Sequence, residues 1–427
     1  MKRRTFLLGG AVVVVAGGWL LKPDDKGAPY DSYFARLNQL MKDMKVGRPA
    51  LVIDDARLQD NCLVVTKHLH EIGRHHRIVS KSLPSVGLVQ QVMKYTGSHR
   101  IMVFQQPFLN DVALAEPQSD LLLGKPMPVD AAERFYAKLT GAFDPTKQLQ
   151  WLIDTQARLE EYLALAKRLG TRMRINIEID VGLHRGGMET PAQMDSLLKT
   201  IEANPEHLEF AGFMGYDGQV GRLPPALEST EESHKRSNEF YFGFINHLKQ
   251  HWPQQAARKD LTFNGGGSLS VLLHGKDSPT TELACGSALL MPSDFDAPQN
   301  AELKVAAFIA TPVLKEWTDL KMPGPLPLGE LWQLWDINRK KTFFIYGGYW
   351  KAKPVAPAGL SANPLYGYSS NQMMYNGSPS IPIGVGDYIF FRPTQSEAVL
   401  LHFGDLLAER DDKLLGWWPP YSQEFNH

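Results

Sequence analysis

The 427 residues are ordinary in composition, 43% apolar and 21% charged, and 45 basic against 46 acidic side chains leave a net charge of −1. That balance excludes the basic footprint of a nucleic-acid binder, and the apolar content excludes a chain dominated by disorder. Two domains are expected at this length, and the two cysteines, Cys62 and Cys285, lie too far apart in sequence for close-spaced metal ligation.

The chain starts with a basic cluster, Lys2-Arg3-Arg4, and an uncharged run of 16 residues, Phe6 to Leu21. As a helix that run would be about 24 Å long, short of the ~20 residues of an ordinary span. Arg3-Arg4-Thr5-Phe6-Leu7 is similar to a twin-arginine export signal, and a plain signal anchor fits the same residues. Residues 1–28 are therefore expected to be an export signal or membrane anchor. Either reading puts the globular part outside the cytoplasm, periplasmic or tethered to the outer face of the inner membrane.

Residues 29–295 alternate short apolar or β-branched runs with helical periodicity. Strands are expected at Leu51-Ile53, His76-Ser80, Arg100-Phe104, Asp120-Leu123, Leu149-Ile153, Arg172-Asp180, Leu208-Met214 and Asp260-Phe263. Helices are expected at Tyr33-Met44, at Asp55-Ile72, where Leu58, Cys62, Val65 and Leu69 share a face, and at Thr155-Leu169. Eight such units predict an α/β fold, a TIM-type (β/α)8 barrel. An open doubly wound sheet fits the same alternation. From residue 296 to 427 the helical period fades while Pro, Gly, Tyr and Trp become frequent. A predominantly β C-terminal domain follows, with strands at Ala306-Ala310, Thr342-Tyr346, Asp387-Phe391 and Ala398-His402.

In a barrel, functional groups project from the carboxyl ends of strands, and four unusual segments fall there. One strand ends on Lys81, another on Val181-Gly182-Leu183-His184-Arg185-Gly186-Gly187, a third on Gly215-Tyr216-Asp217-Gly218, and a fourth on Asn264-Gly265-Gly266-Gly267-Ser268. A partly desolvated lysine supplies the neutral amine that attacks an aldehyde. Three glycines and a hydroxyl at a helix entrance let backbone amides close round a phosphate. Singly, each is commoner as a solvated lysine, an ion-paired arginine or a plain turn; together after four strands they meet the requirements of pyridoxal phosphate, held as a Schiff base on Lys81.

These segments resemble the fold-type III pyridoxal enzymes, the D-threonine aldolase and D-serine dehydratase branch with its alanine racemase-like barrel. Arg48-Pro49-Ala50-Leu51-Val52-Ile53-Asp54 is similar to the branch's opening strand, with Asn61 in the helix after it, and Glu282-Leu283-Ala284-Cys285-Gly286-Ser287 to the segment that ends its barrel. The resemblance implies that Lys81 is catalytic and binds the cofactor together with Arg185 near the ring, Tyr216 beside it, and Asn264, Gly265, Gly266, Gly267 and Ser268 round the phosphate. It also implies a homodimer. Several residues depart from the pattern. Val79 and Leu83 stand where the branch has histidines, Ala288 where it often has a tyrosine, and Thr394 and Ser396 where it has metal ligands. Neither hydroxyl is a competent ligand for a zinc-like ion, so no metal is expected.

The expected activity is lyase chemistry at the α-carbon of a D-amino acid, a small-molecule substrate, with no nucleic-acid partner. Two other readings stay open: a racemase, which would need a second acid/base on the opposite face, and a cofactor-binding protein without turnover.

Overall fold

The computed structural model describes residues 22–422 apart from 326, 364 and 365. Residues 1–21 of the expected export segment lie outside this range, and no helix among the described residues is long and apolar enough to cross a membrane. The chain forms two compact units, one of residues 53–306 with 395–408 and 415–427, the other of residues up to 52 with 307–394 and 409–414.

The larger unit is a closed barrel of eight parallel strands: β2 (His75–Val79), β3 (Arg100–Val103), β4 (Asp120–Leu123), β5 (Leu149–Ile153), β6 (Met173–Glu178), β7 (Leu208–Gly215), β8 (Thr262–Gly265) and β9 (Glu282–Cys285). It closes through β2 and β9, with His75 beside Glu282 and Ile78 beside Cys285. The doubly wound alternative is thereby removed. Helices between staves start and stop where their sequences dictate. Thr155 caps Gln156–Leu169 by accepting from the Arg158 amide, and Gly170, at φ +59°, takes the left-handed turn that ends it.

The expected first stave is displaced. β1 (Ala50–Asp54) lies outside the barrel, and through Ala50–Val52 it belongs to the smaller unit. All five of its residues are buried, so its apolar run reads like that of a stave buried on both faces. The eighth place goes to β9, which starts on a glutamate and offers only four residues to a periodicity argument.

That glutamate belongs to a polar network at the lower end of the barrel. Arg77 and Glu282 are both fully buried and form an ion pair through two contacts, one of them 2.8 Å. Arg77 also reaches Asp120 at 3.0 Å, Arg100 reaches Glu282 at 2.9 Å, and Asn264 donates to Glu282 at 2.8 Å. Gln150 continues the network, donating to Thr262 at 2.9 Å and accepting from Asn176 at 3.0 Å. Burial alone would raise the Glu282 carboxyl, but Arg77, and then Arg100 and Asn264, hold it below its ordinary value.

In the smaller unit β10 (Ala307–Trp317) pairs antiparallel with β11 (Lys341–Ile345) and with the later strand Tyr388–Pro393. Ala398–His402, expected as a strand, is instead a short helix over Glu397–Leu400 in the barrel unit, with Val399 and Leu400 buried. Four or five apolar residues cannot separate the two periods.

Candidate active site

β2 ends at Val79 and turns through Ser80–Ser82. The buried Ser80 hydroxyl donates to the Met102 carbonyl at 2.9 Å, which ties the turn to β3. Lys81 therefore leaves the top of the barrel in a fixed direction. Its side chain is 42% exposed, with Nζ 3.1 Å from a Glu397 carboxylate oxygen and 4.7 Å from the Phe104 ring centre. A half-desolvated amine within reach of solvent is suited to nucleophilic attack.

The loop after β6 is organised by Asp180, which accepts from the Gly182 and His184 amides at 2.8 and 3.0 Å and faces the His184 ring at 2.7 Å. Gly182, Gly186 and Gly187 all have positive φ there, and a Cβ on Gly187 would press the Ile179 backbone, just past β6, at 2.8 Å. The turn delivers Arg185 to the mouth, its guanidinium 4.9 Å above the Tyr216 ring. Burial, then the neighbouring Asp217, raises the Tyr216 hydroxyl above its ordinary value, so the ring acts as a neutral wall.

After β8 the backbone approaches Tyr216 so closely that a Cβ on Gly267 would lie 2.9 Å from its ring, while Gly266 sits at φ +78°. Among the described residues the Gly267 and Ser268 amides have no protein acceptor. The Ser268 hydroxyl accepts from the Ala288 amide at 3.0 Å. Asp217 locks this loop from below, accepting from the Ser270 hydroxyl at 2.8 Å.

Lys81, Arg185, Tyr216, Asn264, Gly266, Gly267 and Ser268 thus line one open pocket. Gly265 does not line it: the residue lies in β8, and a Cβ there would meet Thr280 at 2.7 Å. The Asn264 amide points down into the barrel network rather than out to a ligand. Among the lining residues that the sequence did not assign to the site are Glu397 and Cys285. Burial pushes the Cys285 thiol up to about 12 and keeps it protonated. At the end of β6, burial and then the Asp154 charge push Glu178 up to about 7.

At the two positions where the resemblance implies metal ligands, the Thr394 hydroxyl donates to the Lys351 carbonyl at 3.1 Å and the Ser396 hydroxyl to the Ser287 hydroxyl at 2.9 Å. A different group, Asp217, His234 and His274, brings its ligand atoms within 4.8 Å of one another beneath the glycine loop and could hold a cation. In it Asp217 and His274 face each other at 3.3 Å, and His274 also faces the Ser278 hydroxyl at 2.9 Å.

The profile of the alanine racemase N-terminal domain matches residues 53–294, more than half of the chain. This chain belongs to that family. Among its curated relatives is the 3-hydroxy-D-aspartate aldolase of Paracoccus denitrificans (strain Pd 1222), 23% identical over 266 residues, 62% of this chain; the match spans 65% of the relative's length, just under two thirds. Two solved structures share the fold at 15% identity. They are D-threonine aldolase from Filomicrobium marinum (TM-score 0.68, 87% of this chain and 96% of that one) and D-threo-3-hydroxyaspartate dehydratase from Delftia sp. HT23 (TM-score 0.65, 87% and 97%). The mouth of this racemase-family barrel fits pyridoxal phosphate: a glycine cradle that admits no Cβ and keeps free amides, an amine across the pocket from it, and an arginine and an aromatic ring between.

Proposed function

We propose that this chain is a pyridoxal phosphate-dependent lyase acting at the α-carbon of a β-hydroxy D-amino acid, of the D-threonine aldolase or D-serine dehydratase type. The observation that carries the reading is Lys81 facing the Gly266–Ser268 loop across one pocket. The names of the family relative and of the two fold neighbours point to the same substrate class. When bound, pyridoxal phosphate supplies an aldehyde for amines and a ring that accepts the electron pair of a breaking Cα bond. Lys81 would hold the cofactor through Nζ and, once freed, would move a proton at Cα. The Gly267 and Ser268 amides would receive the phosphate, and Arg185 and Tyr216, 4.9 Å apart, would hold the ring. With Thr394 and Ser396 committed to protein partners, no metal is assigned to the substrate.

The test is to load the protein with pyridoxal phosphate and follow D-threonine, D-serine and D-alanine. Aldehyde and glycine from D-threonine, or pyruvate and ammonia from D-serine, are expected, unchanged by EDTA, and borohydride should fix the cofactor to Lys81. Racemised D-alanine without lyase products would establish the racemase instead, and label on another lysine would overturn the site. Activity lost to EDTA and restored by zinc would move attention to Asp217, His234 and His274.

We extend the proposal to location: the barrel is delivered outside the inner membrane through Arg3-Arg4. Exchanging both for lysine should strand the folded protein in the cytoplasm; unchanged export would end the twin-arginine reading.

A further inference from the structure

Glu397 is the acidic side chain among the residues that line the pocket, and its position is fixed from two sides. One oxygen lies 3.1 Å from Lys81 Nζ. The same oxygen accepts from the Ser82 hydroxyl at 3.3 Å; Ser82 accepts from Ser287 at 3.0 Å, and Ser287 from Ser396 at 2.9 Å. The three serines are buried, and every donor in this chain of hydroxyls points towards the carboxylate. A chain oriented in one direction polarises towards its acceptor and holds it in place. A surface ion pair between two flexible side chains would need no such support.

Breaking the Cα–Cβ bond of a β-hydroxy amino acid requires a base at the β-oxygen as well as an electron sink at Cα. Lys81 is committed to Cα. The β-oxygen lies two bonds from Cα, roughly 2.4 Å away, so a carboxylate in hydrogen-bond contact with the Cα acid/base is within reach of it. We propose that Glu397 is the base that takes the β-hydroxyl proton, an assignment that rests on the lyase reading above. The O–H pair becomes the π bond of the leaving aldehyde, the Cα–Cβ bond breaks, and its electron pair passes to the cofactor ring. The Lys81 ammonium then protonates Cα to give glycine. Lys81 is left one proton short and Glu397 one proton rich, and their 3.1 Å contact returns the proton, so the cycle closes without metal or added acid.

Glu397→Gln keeps the shape and removes the base. On the loaded enzyme, acetaldehyde release from D-threonine should fall by about 10²–10⁴-fold. Exchange of the D-alanine α-hydrogen with deuterium, in which Lys81 moves the proton and Glu397 only contacts Lys81, should fall far less than aldehyde release. D-Threonine should still shift the cofactor absorbance. Equal losses in aldehyde release and exchange would mean that Glu397 acts only by positioning Lys81, and undiminished aldehyde release would mean that the base lies elsewhere; either overturns the assignment. A wild-type enzyme that exchanges D-alanine but cleaves or dehydrates no β-hydroxy substrate would overturn the lyase reading and this inference with it. A thermal melt of the variant separates these outcomes from misfolding.

Discussion

The two ends of the barrel are built on opposite principles. At the lower end Arg77, Arg100, Asp120, Glu282, Asn264 and Gln150 satisfy one another round the fully buried Arg77–Glu282 pair, with Arg100 and Asp120 each about a third exposed at its rim. At the mouth Lys81 and Glu397 are each about 40% exposed and two loop amides have no protein acceptor. Charges at the lower end are neutralised by neighbours fixed in the strands. Those at the mouth keep capacity for a ligand. The same eight staves carry a satisfied polar core at one end and a polar surface with spare capacity at the other, which is how a scaffold stays rigid while its site stays reactive.

The strongest way to break this contrast is to leave a lower-end charge without its partner. Arg77→Ala takes from the fully buried Glu282 its one fully buried cation and leaves it Arg100 and Asn264, and a loss of about 3 kcal/mol in urea denaturation is expected. Replacing Arg77 by Met and Glu282 by Leu together should recover much of that loss, since the buried pair itself repays little beyond its own desolvation. A loss near that of a surface substitution, about 0.5 kcal/mol, would show that water enters the lower barrel and that the two ends are less different than the burial indicates.

The sequence made the staves legible where apolar runs were long enough to carry a period and were flanked by turns. It failed on shorter or two-faced runs. β1 is buried at every position, so nothing in its residues says which sheet buries it. β9 opens on a charge whose partners, Arg77 and Arg100, come from about 180–200 positions earlier in the chain, and the short helix at Glu397–Leu400 offers one turn of evidence. The site divides in the same manner. Lys81, Arg185, Tyr216 and the glycine loop follow strands and carry recognisable residue types. Glu397 carries no motif, because its role follows from a contact with Lys81 across 316 positions. Asn264 shows the reverse: its motif is clear, yet its amide serves the lower network.

The mouth has its own test, smaller and dependent on pH. Glu178, at the end of β6, is held up to about 7 by burial first and by Asp154 second, while Arg185 pulls the other way. Below its unfolded value near 4.3 both states carry the proton and the group is neutral to stability. Between there and about 7 the folded state binds more protons than the unfolded state, so stability falls as pH rises, and above about 7 the full cost is present. Glu178→Gln removes a proton site without changing shape. The variant should match wild type at pH 4.5 and exceed it at pH 8, by on the order of 2 kcal/mol after allowance for partial exposure. Chemical denaturation at the two pH values measures the difference directly. A gain of equal size at both would assign the effect to packing rather than charge. No gain at pH 8 would mean that Arg185 already compensates the Glu178 carboxylate, which would leave the mouth as well neutralised as the lower end and remove the contrast between them.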